Sequence, residues 1–271
     1  QASLTNDNPV SKTFTSSTFV FPETHYDSLE PQKDDLPYAE ENCDNAGMLA
    51  HPDHVTVEMK TSHYQDLRFR IQPETKDVVL ELDDVTQIAS VYRPHYHEYS
   101  VHSAARFLDS VKRVIFIGGG DSMLLHEILK YPELELVVGL ELDQVVTRKC
   151  FKYFSTQPHF DDPRVEWWFG DATKTLLLLP KEYWHSFDLV LVDLSETVMA
   201  LSVTNHLDVF DALALLLQPH GILVKNEIYM EAISPVFDYS VQICFETPIL
   251  CDQVLAMGSQ TVDFLHAPLK D

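Results

Sequence analysis

Four runs of buried-strand character each close on acidic residues. "RVIFIGGGD" ends in Gly118, Gly119, Gly120 and Asp121, and "LELVVGLELD" in Glu141, Leu142 and Asp143. "RVEWWFGDA" ends in Gly170, Asp171 and Ala172, and "FDLVLVDLSE" in Asp193, Leu194, Ser195 and Glu196. In open α/β sheets a ligand binds beyond the carboxyl ends of the strands, so four such ends collect on one sheet edge. An ionised carboxylate only accepts hydrogen bonds, so this edge suits hydroxyls, amino groups and cations. The glycines let a ligand approach the first turn closely.

The first turn departs from the phosphate-binding pattern G-x-G-x-x-G, because Met123 holds the place of the third glycine. Asp121 would stand beside the anion position, where a carboxylate repels pyrophosphate and welcomes an ammonium group. Glu141 follows Gly118 by 23 residues, the spacing at which an acid takes ribose hydroxyls. Asp171 suits an adenine amino group. Together they describe a nucleoside with a cationic, amine-bearing tail in place of phosphates, which is S-adenosylmethionine or its decarboxylated form. Helix capping by Asp121 or Asp171 accounts for either acid alone but not for the set.

The elements that must position these residues follow from hydrophobic periodicity. From Lys112 onward β-branched runs alternate with helical segments, which predicts a doubly wound, mostly parallel α/β sheet of Rossmann-like type, as in S-adenosylmethionine-dependent methyltransferases. "DYSVQICFETPI" and "DQVLAMGS" read as two closing strands that form an antiparallel edge hairpin. Ahead of this, "HVTVEMKT", "YQDLRFRIQ" and "DVVLELDDVTQIASVY" predict three short antiparallel strands. Pro94 ends the third, and a helix is expected from about Tyr96 to Leu108. The organisation expected is a polar, acidic arm over 1–50, partly disordered, an antiparallel β domain over 51–100 and the nucleoside-binding domain over 101–271.

Composition narrows the partners. Acids outnumber bases 42 to 19, for a formal charge of -23. Such a field repels phosphate backbones and anionic lipid, which argues against nucleic-acid and membrane partners and suits a small cationic amine. No apolar run reaches the length of a membrane helix. The four cysteines, Cys43, Cys150, Cys244 and Cys251, show no CxxC spacing, and no His/Cys/carboxylate cluster demands a metal. Cys150 and Cys244 read as buried small residues, with Cys251 near the acceptor side. Trp167 and Trp168 read as packing residues and "LLLL" at 176–179 as helix core. A soluble, cytoplasmic protein is expected, or an organellar one if a leader preceded Gln1.

In "RVIFIGGGDSMLLHEILKYPELELVVGLELDQVV" and "FDDPRVEWWFGDA", with "SHYQDLRF", "LELDDVTQ" and "YHEYSVH" upstream, the chain resembles the spermidine synthases, the polyamine aminopropyltransferases, over about residues 52–260. The resemblance implies that Gln65, His97, Asp121, Glu141, Asp171 and Ala172 hold the nucleoside and its tail. It implies further that Gln87 and Tyr96 face the polyamine and that Asp193 is the catalytic acid. Asp193 would orient the acceptor amine and help remove its proton as nitrogen attacks the carbon beside the sulfonium sulfur, a displacement in which positioning and electrostatics dominate. The co-substrate implied is decarboxylated S-adenosylmethionine, with no metal, and the assembly a homodimer.

The acceptor side departs from the family pattern. Where the family reads D-S-S-D-P-x-G-P-A, this chain has Asp193 through Ala200 as "DLSETVMA", with the second acid kept only as Glu196. The stretch 249–253 lacks the family's tyrosine. The leading expectation is aminopropyl transfer to a di- or polyamine with an altered acceptor site. The alternatives are an S-adenosylmethionine-dependent methyltransferase on the same scaffold, as in putrescine N-methyltransferases, and a nucleoside-binding homologue without turnover. A methyl donor brings an extra carboxylate, which needs a hydrogen-bond donor that the sequence does not locate.

Overall fold

The computed structural model describes residues 17–19 (backbone only), 53–194, 202–204, 207–226, 230–247 and 250–270. Strand β1 (Ser17–Phe19) joins the larger of two main sheets. The smaller sheet is an antiparallel meander of β2 (Val55–Thr61), β3 (Asp66–Ile71), β4 (Val78–Leu82) and β5 (Val85–Ala89). It has four strands where three were expected. The third predicted run folds back on itself at Asp83 and Asp84, whose φ values of 49° and 65° are left-handed. Aspartate tolerates that region better than most residues, and two left-handed positions in succession suit a tight hairpin.

Helix α1 spans Arg93–Ala105, beginning three residues earlier than the sequence predicts. The strand already ends at Ala89, so Pro94 does not terminate it; it sits in the first helical turn, where its missing N–H has no partner to lose. The early start matters, because it carries Arg93 into the helix and over the sheet edge.

The rest of the chain winds the larger sheet. Its elements are β6 (Arg113–Gly118), α2 (Met123–Ile128), β7 (Leu136–Glu141), α3 (Gln144–Phe154), β8 (Val165–Phe169), α4 (Ala172–Leu176) and β9 (Phe187–Asp193). There follow β10 (Ser202–Thr204), β11 (Leu207–Asp208), α5 (Val209–Ala214), β12 (Leu217–Asn226), α6 (Met230–Ile233), β13 (Tyr239–Thr247) and β14 (Leu250–Ser259). The strand order is β1-β13-β14-β12-β9-β6-β7-β8. Strands β12, β9, β6, β7 and β8 run parallel, and β13 and β14 form the predicted antiparallel hairpin.

Central strands are apolar throughout because both faces are covered. On β6, Val114 and Phe116 enter one core while Ile115 and Ile117 enter the other. The smaller sheet packs Leu67, Phe69, Val78 and Leu80 against Val146 and Cys150 of α3, fastening the two sheets together. Trp167 meets Phe116 edge-on and its indole N–H donates to the Pro158 carbonyl at 2.7 Å, so it is a packing residue as expected. Trp168 packs on the opposite core.

Two burial expectations fail. Helix α4 stops at Leu176, so Leu176 and Leu179 are buried while Leu177 and Leu178 are 53% and 72% exposed. Cys150 is buried, but Cys244 is exposed. On β13 the inward positions are Val241, Phe245 and Thr247, and the period of two turns Cys244 outward. The Cys251 side chain lies outside the described residues. Among the described residues no helix is long and apolar enough to cross a membrane.

Candidate active site

Parallel pairing brings the carboxyl ends of β9, β6, β7 and β8 to one edge, with Gly118 in register with Asp193 and Glu141 with Phe169. The glycine turn is built against neighbouring backbone. A Cβ at Gly118 would stand 2.2 Å from the Asp193 carbonyl oxygen, and its φ is +85°. A Cβ at Gly120 would stand 2.8 Å from Glu141 Oε2. At Gly118 the backbone contact and the left-handed φ together exclude a side chain, and at Gly120 a side chain would displace the Glu141 carboxylate.

Glu141 is buried, and its Oε1 accepts from the Asp143 N–H at 2.9 Å. Burial pushes its carboxyl up to about 7, and the nearby acids Asp143, Asp193 and Asp121 push in the same direction. Asp143 caps α3 by accepting from the Val145 N–H at 2.9 Å. The Gln65 amide reaches Asp143 Oδ2 at 3.5 Å, so the smaller sheet contributes Gln65 to this edge.

Asp121 is 1% exposed. Its Oδ1 accepts from the Met123 N–H at 3.1 Å, so it does cap α2, and its Oδ2 pairs with Arg93 Nε. Arg93 is 4% exposed; its guanidinium lies 4.5 Å from the Phe154 ring centroid and touches Thr156. One helical turn on, His97 Nδ1 lies 2.6 Å from the Arg93 carbonyl. A carbonyl only accepts, so Nδ1 carries a proton. That Nε2 is buried without a hydrogen-bond partner, 3.7 Å from Asp121 Oδ1.

Asp193 differs. Tyr96 donates its hydroxyl to Oδ1 at 3.3 Å and the Asn226 amide donates to the same oxygen at 3.1 Å. Burial raises the Asp193 carboxyl above its ordinary range, while His97 and Lys225 oppose the rise. Lys225 is fully buried on β12, with its ammonium donating to the Leu194 carbonyl at 2.7 Å and to the Asn226 side chain.

The structure thus gathers Gln65, Tyr96, His97, Gly118, Gly119, Gly120, Asp121, Glu141 and Asp193 at one edge. Asp171 stands at the same edge but is turned to local work: it caps α4 through the Thr173 N–H and hydroxyl at 3.0 and 2.7 Å and pairs with Lys174 at 3.2 Å. Those contacts hold its carboxyl below the usual range. Ala172 opens α4 against the core. Gln87 is exposed on β5, and its carbonyl accepts from the Tyr92 hydroxyl at 2.9 Å. Glu196 lies outside the described residues. Tyr92, Arg93, Lys225 and Asn226 are additions that sequence reasoning missed. Two signals were present: Arg93 precedes His97 by one helical turn, and Lys225 interrupts the apolar run "GILVKNE". Among the described residues no group of three or more His, Cys, Asp or Glu could hold a metal ion.

The family model described as "Spermine/spermidine synthase domain" matches residues 93–248. The chain belongs to the spermine/spermidine synthase family. It is 35% identical over 149 residues to a polyamine aminopropyltransferase of Thermoanaerobacter sp. (strain X514), covering 55% of this chain and 52% of that one. It is 32% identical over 165 residues to putrescine N-methyltransferase 2 of Nicotiana attenuata, covering 60% and 43%. Its fold matches a spermidine synthase solved with the transition-state analogue AdoDATO, with TM-score 0.67, 21% identity, and coverage of 77% of this chain and 74% of that one. The chain spans about half the length of the curated relatives it matches.

Proposed function

We propose that the protein is a transferase that moves an alkyl group from a sulfonium nucleoside to the nitrogen of a small amine. The observation that carries this reading is Asp193. It is half-buried at the strand edge beside the glycine turn, and among the described residues its two side-chain hydrogen-bond donors, Tyr96 and Asn226, both fall on Oδ1, so Oδ2 is the oxygen assigned to an incoming amine. Glu141 supplies acceptor oxygens for ribose hydroxyls, and the side-chain-free glycine turn lets the nucleoside approach the backbone closely. The smaller sheet contributes Gln65 as a wall, and the larger sheet the acids.

The chemistry follows from the placement. A neutral amine attacks a carbon attached to positively charged sulfur, the carbon–sulfur bond breaks toward sulfur, and nitrogen gains a charge that it sheds with its proton. Asp193, with its proton affinity raised by burial, orients the amine and takes that proton. Because charge is redistributed and not created, fixed acids around the site do most of the work. The relatives' names carry two forms of this reaction. Aminopropyl transfer uses decarboxylated S-adenosylmethionine with a di- or polyamine acceptor, and methyl transfer uses S-adenosylmethionine.

The test is incubation of the full chain with each donor and a panel of mono-, di- and polyamines, read by mass spectrometry of the amine. An added aminopropyl or methyl group supports the reading. Nucleoside binding with no transfer to any amine overturns it and leaves the binding-only homologue.

A further inference from the structure

We infer that Arg93 reads the carboxylate of the donor's amino-acid tail, so that the donor is S-adenosylmethionine and the group moved is methyl. This rests on the nucleoside-site reading proposed above and deepens it at one pole of that site.

The argument is an inventory of donors and acceptors around Asp121. In this chain both oxygens of Asp121 are already engaged, Oδ1 by the Met123 N–H and Oδ2 by Arg93 Nε. An acid whose whole charge is meant for a ligand ammonium has no use for a buried arginine. The pair Arg93–Asp121 is close to neutral, with side chains 5% and 0% exposed. A tail carrying only an ammonium group would sit beside a fixed guanidinium in a site with little solvent, which disfavours it.

A tail carrying both an ammonium and a carboxylate fits instead. The ammonium faces Asp121 Oδ1, beside His97 Nε2, which is buried and has no hydrogen-bond partner. The carboxylate faces the guanidinium. Nε is on Asp121, and one terminal nitrogen touches Thr156 and lies 3.6 Å from Met123 Sδ. The other, Nη1, makes no hydrogen bond among the described residues. A planar guanidinium pinned by Asp121 and by the Phe154 face is already oriented, so it loses little freedom on meeting a carboxylate. The step balances without a further reactant. The amine nitrogen bonds the methyl carbon, the carbon–sulfur pair returns to sulfur to give the thioether, and the nitrogen's proton goes to Asp193.

The experiment is calorimetric titration of the full chain with S-adenosylmethionine and, separately, with the decarboxylated form, which differ only in the carboxylate. The native chain is expected to favour the carboxylated donor by about tenfold or more, the scale of a charge-assisted pair. Arg93→Gln is expected to bring the two affinities within about twofold. If that variant does not fold, Arg93→Met with Asp121→Asn removes both charges together and is expected to show the same loss of preference. Preference of the native chain for the decarboxylated donor, or no preference, overturns the inference and leaves the transferase reading standing. A carboxylate preference that survives in the variants also overturns it, since Arg93 is then only Asp121's counter-ion. Binding of neither donor overturns the nucleoside-site reading and this inference with it.

Discussion

Asp121 and Asp193 lie just past or at the ends of adjacent parallel strands, Asp121 buried and Asp193 half-buried at the same edge, yet the chain treats them in opposite ways. Asp121 is locked by direct contact with a cation, Arg93, and by a helix N–H. Asp193 receives, among the described residues, the neutral donors Tyr96 and Asn226, and the cation Lys225 donates to the Asn226 side chain. A directly paired carboxylate is held in one orientation. A buried carboxylate with neutral donors keeps a raised proton affinity and can exchange a proton. The contrast assigns orientation to one pole of the site and proton transfer to the other.

The largest effect should come from Asp193→Asn, which keeps the shape and the hydrogen bond to Tyr96 but removes the proton acceptor. We expect turnover to fall by about 10²–10⁴-fold with donor affinity unchanged, measured by single-turnover assay and calorimetry. Equal losses in affinity and rate would break the division of labour. Next, Arg93→Met leaves Asp121 buried and unpaired. It should destabilise the fold by about 3–5 kcal/mol in urea unfolding, and adding Asp121→Asn should restore much of that. No recovery in the double variant would mean that the pair is not the stabilising unit.

Glu141 gives a pH signature. Its carboxyl is raised from 4.5 to about 7 in the folded chain. The folded state therefore holds a proton that the unfolded state has released, and stability should decline as pH rises from about 4.5 to about 7 and level off above that. The slope is at most about 1.4 kcal/mol per pH unit. Glu141→Gln should remove this component, as followed by thermal unfolding across pH. The smallest effect is expected from Lys225→Met. Loss of that cation lets the Asp193 carboxyl rise further, so the midpoint of the pH–rate profile should move upward by under about one unit. A downward shift would show that Lys225 acts on something other than Asp193.

Much of the fold was readable from the residues. Runs such as "RVIFIG" and "FDLVLVD" are mostly apolar because both faces of a central parallel strand are covered, and the closing pair of strands was legible as the antiparallel hairpin β13–β14, although β1, not the hairpin, takes the sheet edge. The misses came where local pattern was ambiguous. The run "DVVLELDDVTQIASVY" counts as one strand by its apolar pattern, whereas the left-handed backbone at Asp83 and Asp84 makes it two. Leu177 and Leu178 look like core until α4 stops one residue earlier.

The sequence alone determined the scaffold and the identities at the strand ends, because strand periodicity and parallel topology place Gly118, Glu141, Asp171 and Asp193 on one edge with no knowledge of side-chain contacts. Which of those acids remain open to a ligand was decided only in three dimensions. Asp171 is drawn into capping α4, a contact within two residues that competes with any ligand. Arg93 reaches Asp121 across 28 residues, and Asn226 reaches Asp193 across 33. Pairings of that range depend on how α1 and β12 dock on the sheet edge. Charge in a buried site is set by such neighbours, and one-dimensional spacing carries no record of them.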